Sequence, residues 1–149
     1  MAVKPIPDRY HSITPYLVTN GSAAVIEFLM RAFDAIEIER HLRPDGAVRH
    51  AEVRIGDSAV MLGDASGRWK ASPATLYLFV PDVDATYKRA LDAGGAAVAP
   101  VETQFYGDRH GAVADPAGNT WWIATHVEDV SPEELARRSE AFARKQATP

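Results

Sequence analysis

The sequence contains no cysteine, which removes disulfides, thiolate nucleophiles and thiolate metal sites together. It has no run approaching the roughly 18 apolar residues of a membrane span. Residues 1–8 are polar and proline-broken, without the apolar stretch of a signal peptide. The expectation is a cytoplasmic protein with no membrane partner. Positive charge is not in excess either: 16 Lys and Arg stand against 20 Asp and Glu, a formal net charge of −4. Binding nucleic acid through its phosphates needs a basic face, so no nucleic-acid partner is expected. The main basic group, Arg137, Arg138, Arg144 and Lys145, is interleaved with Glu133, Glu134 and Glu140 and reads as a solvated helix surface.

What is present fits one domain of 149 residues, long enough to enclose a core, with 46% hydrophobic and 24% charged residues. The chain is also written twice. At an offset of 61, Thr14-Pro15-Tyr16-Leu17-Val18 lies over Thr75-Leu76-Tyr77-Leu78-Phe79, and Ala24, Ala32 and Ala35 fall on Ala85, Ala93 and Ala96.

The two halves share a layout. Ile13–Val18 reads as a strand and Ser22–Phe33 as a helix, with Ala24, Ile26, Leu29 and Phe33 at helical spacing. Ile36–Leu42 is a second strand ending at Pro44-Asp45-Gly46. Val48–Ile55 and Ala59–Gly63 form a hairpin through Gly56-Asp57-Ser58. In the second half Leu76–Val80 is a strand, and Val83–Ala93 is a helix stopped by Gly94-Gly95. Ala97–Glu102, Gly111–Ala114 and Thr120–Thr125 are strands, the last two joined across Asp115-Pro116-Ala117-Gly118. Each half is βαβββ and leaves a sheet face uncovered, so two must combine in an α+β architecture. Module one covers about 10–64, a linker 65–73 and module two about 74–127. Ser131-Pro132-Glu133-Glu134 is a helix start, with an N-cap serine, proline at the first helical position and glutamate three residues on. It opens a C-terminal helix over about 131–146, with a thin apolar edge of Leu135, Phe142 and Ala143 that would lean on the body or on a partner.

Paired βαβββ modules with Asp115-Pro116-Ala117-Gly118 before the final strand resemble the vicinal-oxygen-chelate superfamily of glyoxalases, bleomycin-resistance proteins and dioxygenases. The resemblance runs from about Ile13 to Val127. Within it, Ile13-Thr14-Pro15-Tyr16-Leu17, His50-Ala51-Glu52, Phe105-Tyr106-Gly107-Asp108-Arg109 and the segment from Trp121 to Asp129 are similar to the PhnB-like branch. The resemblance implies two modules forming an open cup-shaped sheet. It leaves function open, because the fold hosts isomerases, ring-cleaving dioxygenases, epimerases, thiol transferases and non-catalytic drug-binding proteins. Members of this superfamily commonly pair modules across two chains, which implies a homodimer.

In metal-dependent members each module gives one ligand from its first strand and one from its last. Carried across, these positions fall on Thr14, Thr75, Trp122 and one of Val60, Met61 or Leu62. None suits a cation that wants carboxylate, imidazole or thiolate, so neither a metal nor another cofactor is expected. Strand parity then assigns the remaining side chains. Ala51, Val53 and Ile55 belong under the helices, and His50, Glu52 and Arg54 face the cup. Trp122 lies on its floor, with Tyr16, Tyr77 and Phe79 alongside and Tyr106 nearby.

Two readings lead, and a third, metal-dependent glyoxalase or dioxygenase chemistry, is disfavoured by the missing ligands. One is a metal-independent protein whose aromatic cleft captures a planar or hydrophobic small molecule. The other is a lyase or isomerase with His50 and Glu52 as acid/base pair and Arg109 as a clamp for an anionic substrate. Bland alternatives stand beside both: Trp122 and the tyrosines as core filling, His50 with Glu52 as a surface ion pair, and Arg109 paired with Asp108 or a neighbouring strand. His11 and His110 read as single histidines beside turns.

Overall fold

The computed structural model describes residues 2–147. Element order is β1 (Tyr16–Thr19), α1 (Ser22–Phe33), β2 (Ile36–Leu42), β3 (Val48–Ile55), β4 (Ser58–Asp64), β5 (Thr75–Phe79), α2 (Val83–Asp92), β6 (Ala96–Thr103), β7 (Asp108–Ala114), β8 (Thr120–His126) and α3 (Pro132–Ala147). Each module folds into its own four-stranded sheet, in orders β1-β4-β3-β2 and β5-β8-β7-β6. The outer-edge pair is parallel in each (β1 with β4, β5 with β8), and the other pairings are antiparallel.

Helix α1 buries Val25, Ile26, Phe28, Leu29, Ala32 and Phe33 against its sheet. Ala24, expected on that face, is exposed, and Val25 and Phe28 hold the contact instead. From below come Leu17, Ala51, Val53, Val60 and Leu62, all buried. In module two Val113, Trp121 and Ile123 take the same role. The two helices pack on one another. Arg89 of α2 reaches across to Asp34 at the end of α1, with its two terminal nitrogens 3.0 and 2.6 Å from the carboxylate oxygens. The modules therefore stand with their helices together and their sheets separate.

Helix starts are capped by different means. Gly21 precedes α1 without a side chain to offer, and Asp64 at the end of β4 accepts from the backbone N–H of Gly21 at 3.0 Å and Ser22 at 2.8 Å. Its second oxygen accepts from Val48 N–H at 2.7 Å. Burial opposes ionisation here, but these donors outweigh it and hold the carboxyl below its ordinary range. The capping expected at Ser131 is formed, its hydroxyl oxygen accepting from Glu134 N–H at 3.2 Å. Helix α3 buries no residue. It leans on the body through Phe142, 5.0 Å from the Phe105 ring, and Arg138, which donates to Glu128 and to the Phe105 carbonyl.

Segment 65–73 turns back along β1, where Ser72 N–H donates to the Val18 carbonyl at 3.1 Å. No helix of the described residues is long and apolar enough to cross a membrane.

A candidate ligand-binding face

Two strand starts differ from the sequence reading by three residues, the others by one at most. β1 begins at Tyr16 rather than Ile13, and β7 begins at Asp108 rather than Gly111. The second difference matters, because it lifts Asp108, Arg109 and His110 out of a turn and onto a strand. In register, β7 sets His110 opposite Ala124 and Ala112 opposite Trp122, while β5 sets Tyr77 opposite Trp122. Alternation then sends Asp108, His110 and Ala112 to the same face as Trp122, away from α2.

On that face the side chains meet. The His110 ring lies 4.7 Å from Trp122, 5.8 Å from Tyr77 and 5.9 Å from Tyr106, centroid to centroid, and Phe79 is 5.2 Å from Tyr77. Tyr77 and Phe79 stay 43% and 61% exposed and Trp122 is half-buried, so the group is an open surface. Polar atoms thread through it. The Tyr77 hydroxyl donates to Asp108 Oδ2 at 2.8 Å and lies 3.1 Å from His110 Nδ1. With its proton committed to the carboxylate, the Tyr77 oxygen accepts from His110. This selects the Nδ1–H tautomer; the Tyr106 hydroxyl lies 3.2 Å from Nδ1 and 3.4 Å from Nε2. Gly107 makes the approach to β7 possible. Its φ is +101°, and a Cβ there would stand 2.2 Å from the Glu128 carbonyl oxygen.

Charge is divided across the cluster. Burial pushes the His110 imidazolium down, against the smaller opposing pull of Asp108, so the ring is neutral at physiological pH. Burial, then the hydrogen bond to Asp108, pushes the Tyr77 phenol well above its ordinary value. His126 is the opposite case. Its Nδ1 lies 2.9 Å from Asp108 Oδ1 and its Nε2 2.7 Å from Asp129 Oδ1, and these two carboxylates, Asp108 first, raise its pKa. Histidine Cε1–H resonances in a proton NMR titration are expected to separate accordingly: His126 above about 6.5 and His110 below it. Asp108→Asn should bring His126 back down. Because the folded pKa of His126 is raised, its contribution to stability is complete below about pH 6.5 and disappears as pH rises through the folded value. A His126 midpoint at or under 6.5 would show that the two carboxylate contacts do not persist in solution.

The module-one face is built on the same plan. Tyr16 is opposite Met61 and Met61 opposite Glu52, so Met61 is the counterpart of Trp122. The Tyr16 hydroxyl lies 3.2 Å from His50 Nδ1 with ring centres 5.7 Å apart, matching Tyr77 and His110. An offset of 60, rather than 61, superposes His50 on His110 in the sequence. That signal was available, and the single-residue slip hid it.

The proposed acid/base pair does not assemble. His50 and Glu52 share the concave face, but His50 turns to Tyr16 and to Glu39, 3.7 Å from its Nε2. Glu52 is 0% exposed, with one oxygen accepting from the Tyr10 hydroxyl and the other 3.8 Å from Arg9 Nε and without a hydrogen bond. Arg109 is not a clamp in the cup. It lies on the helix side of β7, its Nε and a terminal nitrogen each 2.9 Å from Asp84 of α2, with Thr103 at 3.3 Å. Tyr16 and Tyr77 stand on separate sheets and line different hollows. At the positions that would hold a metal stand Thr14, Thr75, Met61 and Trp122: two hydroxyls, a thioether and an indole. Among the described residues no three His, Asp or Glu side chains gather around one point, so the donor set does not fit a divalent cation.

Two helix-backed βαβββ units, each with an open aromatic concave face, define a two-module α+β protein of the glyoxalase type. Residues 9–123 match the Glyoxalase/Bleomycin resistance protein/Dioxygenase superfamily, and the chain belongs to it. It is 39% identical over 135 residues to uncharacterized proteins of Mycobacterium bovis and Mycobacterium tuberculosis strain H37Rv. The match covers 83% of this chain and 89% and 79% of theirs. Among solved structures it is similar to TioX from Micromonospora sp. ML1 (TM-score 0.65, 26% identity, 78% of this chain and 99% of that one). The PhnB protein from Bacillus cereus shares the fold (TM-score 0.62, 19% identity, 77% and 99%).

Proposed function

We propose that the protein is a metal-independent small-molecule-binding protein whose module-two face captures a planar or hydrophobic ligand. The observation that carries this is the set of Tyr77, Phe79, Tyr106 and Trp122 rings around a neutral His110, open to solvent on a rigid sheet. Aromatic walls with a few converging polar atoms suit a flat ligand. The unsuitable donor set at the superfamily's metal positions supports the metal-independent part.

Titration with aromatic ligands, followed by tryptophan fluorescence, tests it. A ligand stacked on Trp122 should change a signal that vanishes in Trp122→Phe and survives in Trp121→Phe, because Trp121 is buried on the other side of β8. A response lost in Trp121→Phe instead would place the ligand elsewhere.

We further propose a homodimer. Each sheet has one uncovered face, and α3 exposes Leu135 and Phe142 while burying nothing. Light scattering after gel filtration should give twice the chain mass of 16.2 kDa. A single-chain mass at tens of micromolar protein would count against the assembly.

A further inference from the structure

A cavity of about 850 Å³ opens in module one, between the end of β1, the β2–β3 turn and the segment that joins the modules. Its size falls within the range of small-molecule sites. Two aromatic rings line it, Tyr16 at 49% exposure and Trp69 at 62%. Trp69 is exposed yet its backbone is held, since Ser66 and Trp69 exchange N–H to carbonyl hydrogen bonds at 2.9 and 2.8 Å. The floor is kept low by Gly63: a Cβ there would stand 2.7 Å from the Arg49 carbonyl oxygen and 3.1 Å from the Tyr16 hydroxyl.

The cavity's lining is net positive. Arg43 and Arg49 both line it, with one carboxylate, Asp64. Asp64 already accepts from the backbone N–H groups of Gly21, Ser22 and Val48 and offers the arginines no side-chain hydrogen bond. One terminal nitrogen of Arg43 donates to the Asp64 carbonyl at 2.6 Å, which fixes that guanidinium in place. The Arg49 guanidinium has no hydrogen-bond or ion-pair partner among the described residues. Arg68 adds a third cation beside the site, its guanidinium carbon 5.0 Å from the Trp69 ring centre. Two cations and two rings around one hollow call for a ligand with complementary features.

We propose that this cavity binds a planar aromatic anion, with its ring against Tyr16 and Trp69 and its carboxylate or phosphate on Arg49 and Arg43. The guanidinium fork of Arg49 suits either group. This site lies on module one and does not depend on the module-two reading.

Isothermal calorimetry of the full chain with 1-naphthoate, 1-naphthyl phosphate and neutral 1-naphthamide tests it. At least one of the two anions should bind one per chain, about tenfold or more tighter than the amide. Which anion is preferred separates a carboxylate from a phosphate ligand. Arg49→Met, which keeps length and removes charge, should weaken the anion by about tenfold and Trp69→Ala should weaken all three. Both substituted side chains are exposed, so these variants should keep the wild-type melting temperature. No binding, equal affinity for anion and amide, or full affinity in Arg49→Met would overturn the proposal. So would a loss confined to Trp122→Phe, which would assign the probe to module two.

Discussion

Asp115→Ala is expected to lower the melting temperature by roughly 8–15 °C, corresponding to about 3–5 kcal/mol for a chain of this size. Asp115 is buried in the turn before β8, where its two oxygens satisfy four donors. These are the backbone N–H groups of Ala117 at 2.9 Å and Asn119 at 3.1 Å, the Asn119 amide at 2.9 Å and the Trp121 indole N–H at 3.0 Å. Removing the acceptor strands the buried indole and amide donors, each worth about 1–3 kcal/mol when unsatisfied. It also releases Asn119, whose side-chain oxygen accepts from Ala74 N–H and so ties this turn to the start of β5. Asp115→Asn keeps one acceptor oxygen and should recover about half of the loss. Thermal melts followed by circular dichroism measure both. A drop under about 3 °C for the alanine variant would mean that the turn holds its shape without the carboxylate.

Adjacent tryptophans should give opposite results. Trp121 is 2% exposed, packs 5.3 Å from Phe33 and donates to Asp115, so Trp121→Ala should remove about 3–5 kcal/mol of stability. Trp122 faces the other way, half-buried against His110, and its replacement by alanine should cost about 1 kcal/mol, in line with partial burial. The same Trp122→Ala change should weaken an aromatic ligand by about 1–3 kcal/mol, as truncation of an anchoring indole does at other interfaces. Chemical denaturation of both variants, combined with ligand titration of the Trp122 variant, separates stability from binding. If Trp122→Ala unfolds as easily as Trp121→Ala, the aromatic group is core rather than a binding surface.

Periodicity was a good guide wherever burial is regular. The bounds of α1, β2 and β3 follow directly from apolar spacing and from glycine-bearing turns, and the parity of β8 separates Trp121 from Trp122. It misled where a residue answers to something distant. Gly111 reads as a strand start, yet it is a strand interior kept small by its neighbours: a Cβ would stand 2.8 Å from Val101 and 3.1 Å from the Tyr87 ring of α2. That hid the strand character of Asp108 and His110, and with it the polar thread of the site. Arg109 falls on the helix side by the alternation of β7, and its partner there, Asp84, is 25 residues away, beyond any local pattern. Glu52 is covered by Arg9 and Tyr10 from an irregular segment, so parity gave its face and not its burial. The choice between one continuous sheet and two is made by how α1 meets α2, a matter of tertiary packing.

The segment joining the modules also bears on how the chain behaves at high concentration. Strand β1 is an edge strand of four residues, and alternation leaves few backbone groups of so short a strand pointing outward. Ser72 occupies the Val18 carbonyl, and Pro73, next in the chain, has no N–H to offer an incoming strand. A free edge is a template on which other chains can add strands end over end. The joining segment caps that template from within the same molecule, so shortening it would leave the fold's core intact while exposing a growth point for fibrillar self-association.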